Sequence, residues 1–549
     1  MNRREFLKAI VAMGASASIF DSIVINRAIA APQYFGLHPF IESHPEAVFI
    51  RRTNVLAKTD SESKKLEGNV LAKEIFTLRD TPGIPISHKI AVKPNLTCTG
   101  GKANTADNMG IITDPYFTEG VLESMINMGL PEDNIYIREG NWLGDSYCPA
   151  EYAVSPYKDI SEKLGVHLAD FPTGRKITQL DMKSMEEGLE VIWKDCADGI
   201  VFRRIGYVAP FNDPDSWLLN IAKFKTHGMG MTLCAKNAQG MCIHPHIHFC
   251  AGINSSIIND FQPNTEEHIE DLHALHLSEG IPRWDRPGRD WNSGYGMEMW
   301  AQRTCDSLSV TNTGLCMIEG IYGRNGNAFF EGPGPGGTAE DFMTNVIIFG
   351  KNPFKVDVIG HWLGGHEPGN FGLFHIAKER KLTDTFNPAS IPVYLWENGT
   401  PTLTPLTELE RFPLLTYYLQ KNYGGLDEPK YHLVDEPYDY GVANAVDSAY
   451  DKKSETQNIR KPDAKIIGQN FPNPFNGFTV IEYQLPKDGY VTLEIYDLSG
   501  RLIDVLVKGW QSKGAHAAHW NPGDRVSGIY FYLFRADGIE KIGKMILAR

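Results

Sequence analysis

The feature that most constrains this chain is a strand, a capped helix and a second strand between residues 88 and 138. His-Lys-Ile-Ala-Val-Lys-Pro at 88–94 alternates as a strand does and is closed by Pro94. After a polar loop holding Gly100, Gly101 and Gly110, Asp114-Pro115 opens a helix. An aspartate can accept from the free N–H groups of the first turn, and proline suits the first helical position. Phe117, Val121, Leu122, Met125 and Met128 fall on one face, and Gly129 ends the helix. Residues 134–138 form the next strand, with Glu139-Gly140-Asn141 leaving its carboxyl end. Such a unit predicts an α/β body with a largely parallel sheet. The pattern recurs: 217–222 reads as a short apolar strand, followed by Lys223-Phe224-Lys225-Thr226-His227-Gly228 and a helix including Leu233 to Asn237. Residues 346–349 read as another strand, broken at Gly350, and Asn352-Pro353 starts a helix carrying Asp357, with His361 one turn on.

In open parallel sheets, ligands bind beyond the carboxyl ends of the strands. Lys93, Asn95, Glu139, Asn141, Lys225, Thr226 and His227 all follow strands and are expected to converge there. Lys93, Lys225 and Lys236, with Asn95, Asn237 and His227, would make a cationic, hydrogen-bonding pocket. Such a pocket suits a small carboxylate, phosphate or enolate-like anion, with Lys93, Lys225, His227 and Lys236 available as general acids or bases. Asp357 would orient these groups or balance their charge. The structural alternative is that Lys93 and Lys225 pair with acids such as Asp114 or Asp357. At the level of function, the leading reading is an exported, metal-dependent enzyme acting on a small anionic substrate in this crevice, and the alternative is a non-catalytic surface protein that uses it to hold a ligand or metal.

A second candidate is Cys242-Ile243-His244-Pro245-His246-Ile247-His248-Phe249-Cys250, where every second residue is Cys or His. In an extended chain Cys242, His244, His246, His248 and Cys250 would share one side, a donor set for a divalent metal such as zinc or copper. A disulfide, or histidines packed around a pocket, are the structural readings. The eight cysteines, at 98, 148, 196, 234, 242, 250, 305 and 316, include no C-x-x-C, so the chain has no intrinsic iron–sulfur motif. Gly332-Pro333-Gly334-Pro335-Gly336-Gly337 lacks the phosphate-loop pattern and reads as a surface loop. His361, His366 and Glu367 lack H-E-x-x-H spacing and read as pocket-wall or surface residues; G-x-S-x-G is absent.

From about residue 466 the texture changes to short β-rich runs at 479–484, 490–496, 502–507, 515–520, 529–535 and 541–547, separated by turns. This predicts a small antiparallel β-sandwich, immunoglobulin-like, occupying 466–549. Val491, Leu493 and Ile495 should face its core, and so should Ile529, Phe531 and Leu533. Residues 438–465 are polar without apolar periodicity and read as a linker, leaving 31–437 as the body.

At the other end, Arg3-Arg4-Glu5-Phe6-Leu7-Lys8 precedes a weakly apolar stretch and Ala28-Ile29-Ala30, the regions of an export signal over 1–30. The whole chain carries a net charge of −14; the leader holds four basic and two acidic residues, so the remainder stands at −16. That sign argues against nucleic acid or an anionic lipid surface as a partner, since either requires clustered positive charge. Past the leader no apolar run approaches the ~20 residues that span a bilayer, so no transmembrane segment is expected in the mature chain.

Three resemblances sharpen this reading. Arg3-Arg4-x-Phe6-Leu7-Lys8 resembles the twin-arginine consensus, which implies folding before passage through the twin-arginine translocase. Asn470 to Asn476, Ile495-Tyr496-Asp497-Leu498-Ser499-Gly500-Arg501, Ser527 to Tyr532 and Lys544 to Leu547 resemble the type IX secretion sorting domain. That likeness implies type IX secretion machinery as a partner in transit and a cell-surface or extracellular destination by way of the periplasm. The body resembles the domain of unknown function 362 family over about 88–382, through Val92-Lys93-Pro94-Asn95-Leu96, Thr113-Asp114-Pro115, Glu139-Gly140-Asn141 and Leu219 to His227. Lys236 to Gly240, Glu319-Gly320-Ile321 and Phe349 to Pro353 leading to Val356-Asp357 continue it. The family has no general assigned reaction. Many relatives carry a ferredoxin-like cysteine run, which this chain lacks.

Overall fold

A computed structural model describes residues 34–81, 83–96, 107–140, 156–177, 184–243, 246, 255–282, 284–289, 293–326, 332, 337–412, 414–415, 437–441, 470, 472–485, 487–497, 501–523, 525–536 and 539–548. The leader 1–30, most of the linker, and Asn141, His244, His248 and Cys250 lie outside them. The chain divides into two compact units, Met1–Val442 and Ala443–Arg549.

The body is built on a ten-stranded sheet. In chain order its strands are β1 (Val48–Arg52), β2 (Lys89–Pro94), β3 (Ile135–Ile137), β4 (His167–Leu168), β5 (Ser216–His227), β6 (Gly230–Thr232), β7 (Thr313–Arg324), β8 (Asp341–Gly350), β9 (Val393–Glu397) and β10 (Thr400–Leu403). Across the sheet the order is β10-β9-β1-β8-β7-β5-β2-β3-β4, with β6 turned back on β5. Pairs β9–β1, β7–β5, β5–β2, β2–β3 and β3–β4 are parallel, while β8 runs antiparallel to both its neighbours. Strands β5 and β7 are buried along nearly their whole length, as central strands covered on both faces must be.

Helices follow the chemistry of their ends. Helix α1 (Ser61–Ile75) packs on α2 (Pro115–Met128). Asp114 caps α2 by accepting from the N–H groups of Tyr116 and Phe117, and Gly129 closes it at φ 114°. Helices α3 (Thr265–Ser278) and α4 (Gly294–Ser309) pack together, α5 (Pro353–Leu363) lies on β7 and β8, and α6 (Gly372–Glu379) packs on α4.

Three expectations change. Strand β5 continues to His227 rather than ending at Ala222, so Lys223, Lys225 and His227 sit on the strand itself. The supposed linker starts later, because Tyr438 packs against His375 and Phe386, and the Tyr440 hydroxyl donates to Glu367 Oε2 at 3.1 Å. In the second unit, the core face of one strand is the opposite of that expected.

The second unit is a sandwich of two antiparallel sheets. Its strands are β11 (Thr479–Leu485), β12 (Gly489–Asp497), β13 (Leu502–Gln511), β14 (Gly514–Trp520), β15 (Gly528–Ala536) and β16 (Ile539–Leu547). One sheet pairs β11 with β14; the other runs β13-β12-β15-β16. Ile481, Tyr483 and Trp520 from the first meet Val491, Leu493, Ile495 and Met545 from the second in one core. On β15 it is Tyr530, Tyr532 and Phe534 that face this core, whereas Ile529 is 38% exposed. Both faces of β15 are apolar, so alternation alone could not choose between them.

Candidate functional site at the carboxyl ends of the parallel strands

Strands β2 and β5 run parallel with Lys93 opposite Asn220, and the β2–β3 pairing brings Glu139 past the end of β3 to the same place. Lys93 Nζ donates to Glu139 Oε2 at 2.8 Å, to Asn237 Oδ1 at 2.9 Å and to the Pro94 carbonyl at 2.8 Å. All three donors of this fully buried ammonium are used. Burial drives Lys93 down and Glu139 up from their ordinary values, and the mutual attraction of the pair opposes both shifts.

Asn237 is the hub. Its Oδ1 also accepts from Asn95 Nδ2 at 3.2 Å, and its Nδ2 donates to the Lys93 carbonyl at 3.1 Å and to Asn220 Oδ1 at 2.7 Å. Asn95 Oδ1 is buried without a hydrogen-bond partner among the described residues. Gly240 permits the close approach, since a Cβ there would stand 1.8 Å from Glu139 Oε1 and 2.8 Å from Lys93 Nζ. Asp357 acts through the backbone: its two oxygens accept from the N–H groups of Cys234 and Ala235, each at 2.7 Å, fixing the short helix Cys234–Asn237 that carries Lys236 and Asn237. Burial pushes the Asp357 carboxyl up to about 7, against those two hydrogen bonds.

Lys225 is different. It is buried, and its Nζ donates at 2.5 Å to the Ile111 carbonyl, but among the described residues no carboxylate lies within ion-pair distance. Burial, and then the positive charges of Lys236, Arg324 and Lys223, hold it well below the ordinary lysine range, with the attraction of Glu139 opposing them. His227 keeps partial exposure and sits under the same influence; desolvation and then Lys236 and Lys225 hold its ring well below the usual value. Its Nδ1 accepts from the Met229 N–H at 3.0 Å, so the neutral ring carries its hydrogen on Nε2. Thr226 is turned elsewhere, its hydroxyl 2.8 Å from the Gly326 carbonyl.

The structural alternative for Lys93 and Lys225 takes another form. Asp114 pairs with Lys64 at 2.6 Å and Asp357 with backbone, so neither serves Lys93 or Lys225. The lysine that does pair with a strand acid is Lys223, 2.7 Å from Glu319.

Of the cysteine–histidine segment, Cys242, Ile243 and His246 lie among the described residues, and the His246 N–H donates to the Ile243 carbonyl at 3.0 Å. Both ring nitrogens of His246 are engaged, Nδ1 by the Gly206 N–H at 3.2 Å and Nε2 by Asp260 Oδ2 at 3.1 Å. Cys242 is a buried thiol pushed up to about 11 by desolvation, with its sulfur 3.9 Å from Ser307 Oγ. His361 and His366 are buried wall residues held at about 3 and about 4 by desolvation, His361 stacked on Phe371.

A shallow cleft of about 260 Å³, lined by Glu46, Thr311, Thr313, Lys351 and Asn352, lies at the other end of the sheet. Thr313 begins β7, whereas Arg324 at its end is the residue level with Lys225. The cleft therefore plays no part in the lysine cluster. Asn220, Gly240 and Thr232 were missed by sequence reasoning, although Thr232 was accessible to it: a two-residue turn at Gly228-Met229 sets residue 232 opposite 225.

The architecture defines an α/β body whose polar cluster caps its parallel strands, joined to a β-sandwich. Residues 90–361 match the family described as Domain of unknown function (DUF362), and residues 469–548 match the Secretion system C-terminal sorting domain. No curated protein matches the chain. The sorting domain marks an exported protein, bound for the cell surface or the exterior and handled in transit by type IX secretion machinery. Among the described residues no helix is long and apolar enough to cross a membrane.

Proposed function

We propose that the body of this exported protein binds a small carboxylate- or phosphate-bearing ligand beyond the carboxyl ends of β2 and β5. The observation that carries this reading is Lys225, a buried amine beside Lys236, Arg324 and Lys223 that has no carboxylate at ion-pair distance among the described residues, the attraction of Glu139 being shared with its partner Lys93. A cluster of cations with one member uncompensated is stabilised by an arriving anion, and strand ends are where such ligands bind in this class of sheet. Lys225, Lys236 and His227 are the groups assigned to the ligand; Lys93, Glu139, Asn95 and Asn237 form the frame beneath it. Thermal melting of the full chain against inorganic phosphate and acetate tests the reading, because a ligand that binds only the folded state raises the melting temperature with concentration. Stabilisation that Lys225→Met removes is expected; the same shift in that variant would refute the assignment.

An enzymatic version has one specific support: Lys225 and His227 are both biased toward their neutral, proton-accepting forms. For the export route, the leader motif supports a twin-arginine path followed by type IX secretion. Replacing Arg3 and Arg4 together by lysine should leave the protein in the cytoplasm; undiminished export would favour an ordinary secretory leader.

A further inference from the structure

The hairpin joining β5 to β6 sets Thr232 directly opposite Lys225, with His227 opposite Gly230 at the turn. Opposite residues of an antiparallel ladder share a face with Cβ atoms about 5 Å apart. His227, two residues beyond Lys225, shares that face. Thr232 is 4% exposed, yet its Oγ1 has no hydrogen-bond partner among the described residues. Lys225 Nζ has three donors and one acceptor, the Ile111 carbonyl. Among the described residues two buried polar groups thus lie opposite each other across a ladder, the Thr232 hydroxyl without a partner and the Lys225 amine with donors beyond the one the Ile111 carbonyl takes. Buried hydroxyls ordinarily find partners, so an orphan beside an uncompensated amine marks a place where the partner comes from outside.

We propose that Thr232 is a ligand-binding residue, its hydroxyl and the Lys225 amine donating together to the oxygens of one carboxylate or phosphate group. This rests on the anion reading above and adds to it a residue and a chemistry, an oxyanion able to accept from two donors at once. The pairing also accounts for the position of the turn, since a slip of one residue would send the 232 side chain to the other face.

The test uses the full chain, titrated calorimetrically with inorganic phosphate and separately with acetate, to tell the two oxyanions apart. Thr232→Val keeps shape and strand preference but removes the hydroxyl. It should bind whichever anion the wild type binds about tenfold more weakly or worse, while Thr232→Ser stays within about threefold. Without ligand, Thr232→Val should melt at or above the wild-type temperature, because the hydroxyl it loses had no partner. Wild-type affinity in Thr232→Val, or a lower ligand-free melting temperature, overturns the Thr232 assignment. In either case, weakened binding in Lys225→Met leaves the anion site standing, which separates the two claims. If the wild type binds neither phosphate nor acetate, both fall.

Discussion

Lys223 and Lys225 lie two residues apart on β5, equally buried, and have opposite surroundings. Lys223 meets Glu319 at 2.7 Å and sits 3.5 Å from the centre of the Tyr322 ring. Glu319 also accepts the Asp114 N–H at 3.0 Å, and Asp114 accepts from Lys64 and from the Tyr322 hydroxyl, each at 2.6 Å. This network ties α1, α2, β5 and β7 together with every charge answered. Lys225 has a backbone carbonyl and nearby cations. Removing charge from water is costly, and only complete pairing offsets it. The first cluster is therefore scaffold and the second a site waiting for its counter-charge.

The comparison can be broken by deleting one partner from each side. Glu319→Gln leaves Lys223 buried opposite an amide and should lower unfolding free energy in urea by about 3–5 kcal/mol. Lys225→Met removes a buried amine that no carboxylate pairs with among the described residues and should leave stability unchanged or higher. Equal losses in the two variants would erase the distinction. A smaller effect is expected from the frame below the site. Gly240→Ala forces a methyl against Glu139 Oε1 and Lys93 Nζ and should cost about 1–3 kcal/mol as overpacking, read by the same urea unfolding.

How far these contrasts were readable in the sequence depends on how local their causes are. Helix α2 was legible from Asp114-Pro115 to Gly129 because caps act within a few residues. The end of β5 was not, because Lys223 and Lys225 look like solvent-facing residues until Glu319, 96 positions later, supplies the partner. Of the expected site, Lys93, Asn95, Glu139 and Asn237 do meet, and Lys225, His227 and Lys236 influence one another. Glu139 was expected as a ligand contact and proves to be the counter-ion of Lys93, which only the parallel register of β2 and β3 could reveal. Cys242 and His246 fit a period of two on paper, whereas the His246 ring accepts from the Gly206 N–H and donates to Asp260, partners 40 and 14 positions away that a local pattern does not show.

A third contrast concerns pH. His276 lies between Glu298 at 2.7 Å and Glu379 at 2.8 Å, which raise it to about 10 against the cost of burying it. A histidine raised in the folded state contributes stability that is complete below about 6.5 and is lost as pH climbs toward 10. Asp357, raised to about 7, is an acid with the folded form holding the extra proton, so its contribution is lost as pH rises from about 4 to 7. His276→Gln should flatten the fall in melting temperature between pH 7 and 10 and leave the acid side alone. An unchanged alkaline slope in that variant would show that the clamp joining α3, α4 and α6 contributes nothing.

The smallest expected effect is the most direct probe of the site. Lys236 is the largest electrostatic cause, after burial, holding both His227 and Lys225 down. Lys236→Met should therefore raise the His227 pKa, followed by NMR of the ring protons, without a measurable change in urea stability, because Lys236 is partly exposed. Bound phosphate should raise it in the wild type as well, since an anion among these cations favours the charged imidazole. Both changes have the same sign for the same reason: each makes the surroundings of His227 less positive. A His227 titration insensitive to Lys236 and to phosphate would mean that the cluster shares a strand end but not a field, and the contrast with the paired Lys223 network would then lose its functional meaning.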